Sequence, residues 1–121
     1  MVSFDGSDFA RLSGNLGNLS ANAARMAAVA VRKTAKDIEG TAKNLAPVDT
    51  GNLRSSIKTS DLRSTSASSP EAEISASAEY AVYVELGTSR MAPQPFMGPA
   101  ATAHEPSFLQ AMGQIAGGSF G

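Results

Sequence analysis

From position 20 to position 45 the apolar residues fall on one side of a helix. Ala23, Met26, Ala27, Ala30, Val31, Thr34, Ile38, Ala42 and Leu45 recur every three or four residues. Arg25, Arg32, Lys33, Lys36, Glu39 and Lys43 fill most of the remaining circumference. No proline interrupts the run, and Gly40 is its only glycine. The spacing predicts one amphipathic helix over 20–45, roughly 39 Å long at the standard rise. That is long for so short a chain, so part of it is expected to lie against a neighbour. Glu39 and Lys43 stand four apart in the order that favours an ion pair. Pro47 ends the helix, and Ala46 before it is steered out of helical geometry.

The flanking segments are less regular. Phe9, Leu12, Leu16 and Leu19 have helical spacing, but Gly14 and Gly17 interrupt it, so residues 1–19 read as an extension with a short, frayed helix starting near Ser7 or Asp8. Beyond the long helix, Asp49, Thr50, Gly51 and Asn52 are turn formers. A β-hairpin is expected over 53–79. Its first strand, SSIKTSDLRS, has Ile57, Thr59 and Leu62 as imperfect apolar positions, and a small polar loop over 64–69 follows. Its second strand alternates Ala72, Ile74, Ala76 and Ala78 with Glu71, Glu73, Ser75 and Ser77, the cleanest period-two run in the chain. Residues 80–86 fit a strand through Val82, Val84 and Leu86, and a helix through Tyr80, Tyr83, Val84 and Gly87. Three prolines hold 87–99 as an extended arm. Pro99 then suits the first position of a C-terminal helix over 99–116, which Pro106 interrupts or restarts and which carries Phe108, Leu109, Met112 and Ile115. No repeat or internal boundary appears. The expected architecture is a single α+β domain over 1–121: a long N-terminal helix packed on a small antiparallel sheet, a Pro-rich arm and a C-terminal helix.

Composition changes this picture in two ways. Seven aromatics among 121 residues, with much of the apolar fraction as alanine, make a lean core that association with other chains would supplement. The formal net charge of −1 lacks the basic footprint of a duplex-DNA binder. Without cysteine there is no disulfide or thiolate chemistry. Neither a membrane span of about 20 apolar residues nor a signal peptide is visible, which points to synthesis in a cytoplasm.

Three segments, in order, resemble the neck, tail-completion or minor tail proteins of long-tailed bacteriophages. They are APVDTGNLRSSI (46–57), YAVYVELGTSRM (80–91) and APQPFMGPA (92–100). The family pattern runs Pro-x-Asp-Thr-Gly-x-Leu-Arg-x-Ser, then Tyr-x-x-Tyr-x-Glu-x-Gly-Thr, then Pro-Phe-x-x-Pro-Ala. Here it falls on Asp49, Thr50, Gly51, Leu53 and Arg54, then on Tyr80, Tyr83, Glu85, Gly87 and Thr88, then on Pro95, Phe96 and Pro99. The resemblance implies a structural, non-enzymatic virion protein, made in the host bacterial cytoplasm and placed at the head–tail junction. It implies a ring of copies, six in the leading reading and twelve in the other, around a channel through which DNA passes without specific binding. The implied neighbours are the adaptor, head-closure, tail-terminator or tail-tube proteins, with no membrane and no cofactor. A head-closure or tail-terminator ring subunit is the neighbouring reading.

Each motif also has a plainer reading. Asp49-Thr50-Gly51 is either a contact loop between subunits or a tight turn satisfying local N–H groups. Arg54 either reaches a neighbour's carboxylate or is solvated. Glu85, in apolar company, needs a partner: an ion pair with Arg54 or Arg90 is expected, against a general acid working with Asp49 or Glu79 in a small hydrolase. A nucleic-acid module built on Arg32, Lys33, Lys36 and Lys43 lacks stacking aromatics. His104, the sole histidine, is expected at the surface and cannot form a structural zinc site alone. No catalytic, cofactor or metal set emerges. Phe96, between Pro95 and Pro99, is a rigid apolar knob for the chain's own core or for the next subunit. The prolines favour docking on the chain's own sheet edge or long helix. Gly87 to Pro95 would then reach toward a neighbour, with Arg90 at the boundary near Glu85 or Glu79.

Overall fold

The computed structural model describes residues 2–4, 9–13, 21–47, 52–62 and 71–117. Its elements are β1 (Val2–Phe4), β2 (Phe9–Ser13), α1 (Ala21–Leu45), α2 (Asn52–Ser56), β3 (Ile57–Leu62), β4 (Glu71–Ala76), α3 (Ala81–Leu86) and α4 (Met97–Gly117). The strands form one antiparallel sheet in the order β1-β2-β4-β3. Helix α1 lies over β3 and β4, α4 reaches β1 and β2, and the two helices pack most extensively against each other. The fold is α+β, with a long helix, a small antiparallel sheet and a C-terminal helix.

The stripe of α1 is buried as its spacing predicts at Ala27, Val31, Thr34, Ile38 and Ala42, with Ala23, Met26 and Ala30 partly covered. The end of the stripe differs. Leu45 is 46% exposed and Ala46 takes its place in the core, because a 3.6-residue period continued from Ala42 falls on 46. Ala35 is buried as well. The opposite face carries the expected ion pair, with Lys43 Nζ 3.1 Å from the Glu39 carboxylate, and Lys36 Nζ adds a second contact to it at 3.7 Å.

The N-terminal segment differs more. Its described residues, 2–4 and 9–13, form not a frayed helix but the strands β1 and β2, and β2 extends the sheet by pairing Ala10 with Ile74 and Leu12 with Ala72; Leu16 and Leu19 of the expected stripe lie outside the described residues. The glycines at 14 and 17 are poor helix residues, and the open edge of β4 offers a row of backbone partners to any five-residue run that fits. The hairpin expected over 53–79 begins later. Residues 52–56 make a helical turn, which Ser55 and Ser56 hold by donating their hydroxyls to the carbonyls of Asn52 and Leu53. Strand β4 alternates as expected, burying Ala72, Ile74 and Ala76.

Helix α4 starts at Met97, so Pro99 sits third rather than first, and Pro106 lies inside a continuous helix. Pro106 and Thr102 are both exposed, so the carbonyl that Pro106 leaves unpaired faces water. His104 is half-buried, not free at the surface: its Nε2 is hydrogen-bonded to Thr41 Oγ1 at 2.6 Å and ties α4 to α1. The segment 48–51, with Asp49, Thr50 and Gly51, the 64–69 loop and the C-terminal tail lie outside the described residues.

Candidate functional site: an exposed aromatic segment

Residues 80–96 carry most of the second and third motifs, and the structure divides them between two kinds of work. The ambiguous run is helical. The N–H groups of Tyr83 and Val84 both donate to the Tyr80 carbonyl, and that of Gly87 donates to Tyr83 at 2.7 Å. Gly87 leaves the helix at φ 79° and ψ 173°, a region open to glycine alone. A Cβ there would stand 2.8 Å from the Pro93 nitrogen, so the tight approach of the returning chain also demands glycine.

The arm after Gly87 folds back on itself. Thr88 and Met91 exchange backbone hydrogen bonds, and the N–H groups of Arg90 and Met91 also donate to Thr88 Oγ1. The Gln94 N–H then donates to the Val84 carbonyl at 2.8 Å. This is a built loop, not the simple extended arm the prolines predict, although Thr88 through Pro95 are all exposed.

Glu85 closes the arrangement. It is 4% exposed, and its partner is neither Arg54 nor Arg90. Its Oε1 accepts from the N–H groups of Phe96 (3.0 Å) and Met97 (2.8 Å), and Oε2 accepts from Gly98 at 3.1 Å. Since the Ala100 N–H donates to the Phe96 carbonyl, Phe96 is the residue before the first turn of α4. A helix start leaves its first N–H groups without partners. Here three go to one carboxylate, and the fourth position is Pro99, which has no N–H. The negative charge also suits the positive end of the helix dipole. Glu85 therefore seats α4 against α3, with both carboxylate oxygens engaged by backbone N–H groups. Phe96 and Met97 follow into the core at 0% exposure, so Phe96 serves the chain's own interior.

The other motif residues divide likewise. Leu53 is buried, and Arg54 Nε donates to the Lys43 carbonyl at the C-terminal end of α1, where a cation is favoured. Tyr83 (56% exposed), Leu86 (54%), Tyr80 and Met91 stay at the surface. With Pro47, Leu53, Val84 and Gln94, residues 80, 83 and 91 line a shallow hollow of about 230 Å³. Arg90 is exposed nearby and forms no ion pair with Glu85 or Glu79. The capping role of Glu85 escaped sequence reasoning, yet a signal existed. No Ser, Thr, Asp or Asn precedes α4 to cap it, so the acceptor had to come from elsewhere.

Among the described residues no group of His, Asp or Glu is placed to hold a metal ion, and no helix is long and apolar enough to cross a membrane. These features define a small α+β protein whose distinguishing segment leaves an apolar, aromatic surface uncovered. The chain belongs to the HK97-gp10-like family. That family's model, described as "Bacteriophage HK97-gp10, putative tail-component", matches residues 10–87 of the 121. It is thus a phage structural protein related to the tail, with its place in the virion. The match spans the first motif and the second as far as Gly87, and stops ahead of Thr88 and the Pro-Phe segment. No curated protein and no solved structure matches the chain.

Proposed function

We propose that the chain is a tail-completion subunit of the phage neck, forming a ring that joins the portal complex of the head to the tail around the DNA channel. One observation carries this reading beyond family membership: four large apolar side chains, Tyr80, Tyr83, Leu86 and Met91, stand exposed on a loop and helix fixed by Gly87, Thr88 and Glu85. A rigid segment that keeps aromatic side chains in water is suited to contact with another protein. Six copies fit the symmetry of a tail and twelve that of the head vertex, and six is the leading number. The neighbours would be adaptor, head-closure, tail-terminator or tail-tube proteins, with DNA passing through unbound. The work is binding, since the carboxylate best placed for a hydrolase, Glu85, is committed to a helix end.

The test is deletion of the gene from the phage or prophage that encodes the chain. Electron microscopy of the lysate should show DNA-filled heads and complete tails that remain apart, and a plasmid copy should restore joining. Joined, infectious particles in the deletion strain would overturn the neck reading.

A further inference from the structure

The molecule carries a second apolar surface, far from the aromatic one. Between the first half of α1 and the last turns of α4 lies an open groove of about 480 Å³, lined by Met26, Val29 and Ala30 on one side and Ala111 and Ile115 on the other, with Arg25 at its rim. Its volume is in the range of roughly 300–1,000 Å³ that receives ligand-sized groups. Val29 is the most exposed large apolar residue among those described, at 60%.

The two surfaces differ in place and in size. One is an open groove at the start of α1. The other surrounds the smaller hollow beside Pro47, just past the end of α1, where Tyr83 and Leu86 of α3 are exposed. From Val29 to Pro47 is 18 residues, about 27 Å along a helix. Surfaces so far apart cannot cover one another within one chain. Their charges are complementary: Arg25 is exposed at the groove, and Glu79 is exposed immediately ahead of Tyr80. Neither is in a salt bridge among the described residues. Two different, complementary patches on one molecule make a head-to-tail contact, which closes into a ring when the rotation between copies permits.

We infer that the occupant of the α1–α4 groove is a second copy of this chain, which inserts Tyr83 and Leu86 of its α3 and sets Glu79 against Arg25. This rests on the ring reading and names the contact that would build the ring. In a closed ring the same pairing, repeated from copy to copy, covers both surfaces on every copy.

The chain has no cysteine, so an engineered pair reports without background. The full-length Val29→Cys/Tyr83→Cys variant is oxidised in parallel with each single variant, and the parent is weighed by native mass spectrometry. Both positions are exposed, and circular dichroism confirms that the variants fold. The expected result is a ladder of disulfide-linked oligomers from the double variant, reaching the copy number of the parent ring. Each single variant should give no linked product, and a mixture of the two singles should give only linked dimers. Arg25→Glu in the double-cysteine background should abolish the ladder, and adding Glu79→Arg should restore it. A parent ring without a ladder overturns this contact and leaves the ring standing. Linked dimers from a single variant alone show like surfaces meeting and also overturn it. A parent that stays monomeric up to about 1 mM, the weakest association of interest, overturns both the contact and self-assembly.

Discussion

Replacing Glu85 should do more damage than replacing any other charged residue described here. In Glu85→Ala the N–H groups of Phe96, Met97 and Gly98 lose their acceptor at a site where the carboxylate was 4% exposed. Each buried, unpaired donor costs about 1–3 kcal/mol, and bonds to a charged acceptor lie at the upper end. Some of this is recovered as water enters the space the side chain vacates, so the expected loss is roughly 3–5 kcal/mol for the three donors together. Glu85→Gln is the sharper probe. Its amide oxygen can still serve Phe96 and Met97, but the NH2 that replaces Oε2 then meets the Gly98 N–H donor to donor, for about 2 kcal/mol. Against a total stability of about 5–15 kcal/mol, the alanine variant should lose a large share of its stability. Thermal unfolding followed by circular dichroism should show the glutamine variant melting lower by roughly 8 °C, and the alanine variant by twice that or more. Hydrogen exchange should accelerate first at the amides of 96–98. An alanine variant that melts within about 2 °C of the parent, with those amides still protected, would show that the carboxylate does not hold the helix start.

Three further substitutions test the packing and the electrostatics. Gly87→Ala forces a Cβ into the returning chain at Pro93 and a φ of 79° on alanine, and should cost about 2–4 kcal/mol by urea denaturation; a cost below about 0.5 kcal/mol would refute that geometry. Ile38→Asp places a charge at a wholly buried position of α1 and should eliminate soluble, folded protein; a helical, soluble product would put the stripe on the wrong face. At Glu39 burial raises the carboxyl's pKa, but the hydrogen bonds from Thr59 and Lys43 and the charges of Lys36 and Lys43 outweigh it and leave the pKa below its ordinary 4.5. A folded-state value below the unfolded one adds stability above about pH 4.5, which is lost as the pH falls through the lowered value. Glu39→Gln should therefore destabilise by about 0.5–1 kcal/mol at pH 7 and flatten the decline below pH 4.5; equal pH slopes for the two proteins would count against the Glu39 network.

The long helix and β4 were legible because each repeats its pattern over enough residues to exclude the other period. The helix over 20–45 and the alternation from Ala72 to Ala76 agree with α1 and the buried face of β4. Short runs were not legible. FARLS suits a strand or a helical stripe equally, and what decides it is an open edge of β4 more than 55 residues away in the sequence. Residues 80–86 were undecidable for the same reason until the chain could be seen turning at Gly87 and returning to Val84. His104 failed differently. Nothing local shows that Thr41 waits for it on another helix, because such a pair exists only once α1 and α4 have packed.

The motif Tyr-x-x-Tyr-x-Glu-x-Gly-Thr looks like one unit in the sequence, yet its residues answer to two different demands. Glu85, Gly87 and Thr88 are fixed by the fold: an acceptor for a helix that has no local cap, a backbone angle only glycine adopts, and a hydroxyl that takes two N–H groups in a turn. Changing them should lower stability before anything else. Tyr80 and Tyr83 meet no such demand. Tyrosine has only average helix propensity, and more than half of the Tyr83 side chain lies in water, where a polar residue would favour solubility. A lean core makes that exposure harder to explain as packing, since aromatic area is what the interior lacks. The two tyrosines are therefore where binding and folding separate. Tyr83→Ser should leave the melting temperature within about 2 °C of the parent while weakening association between copies roughly tenfold, as read by native mass spectrometry. If it instead unfolded the monomer, the exposed face would belong to the fold and not to a partner.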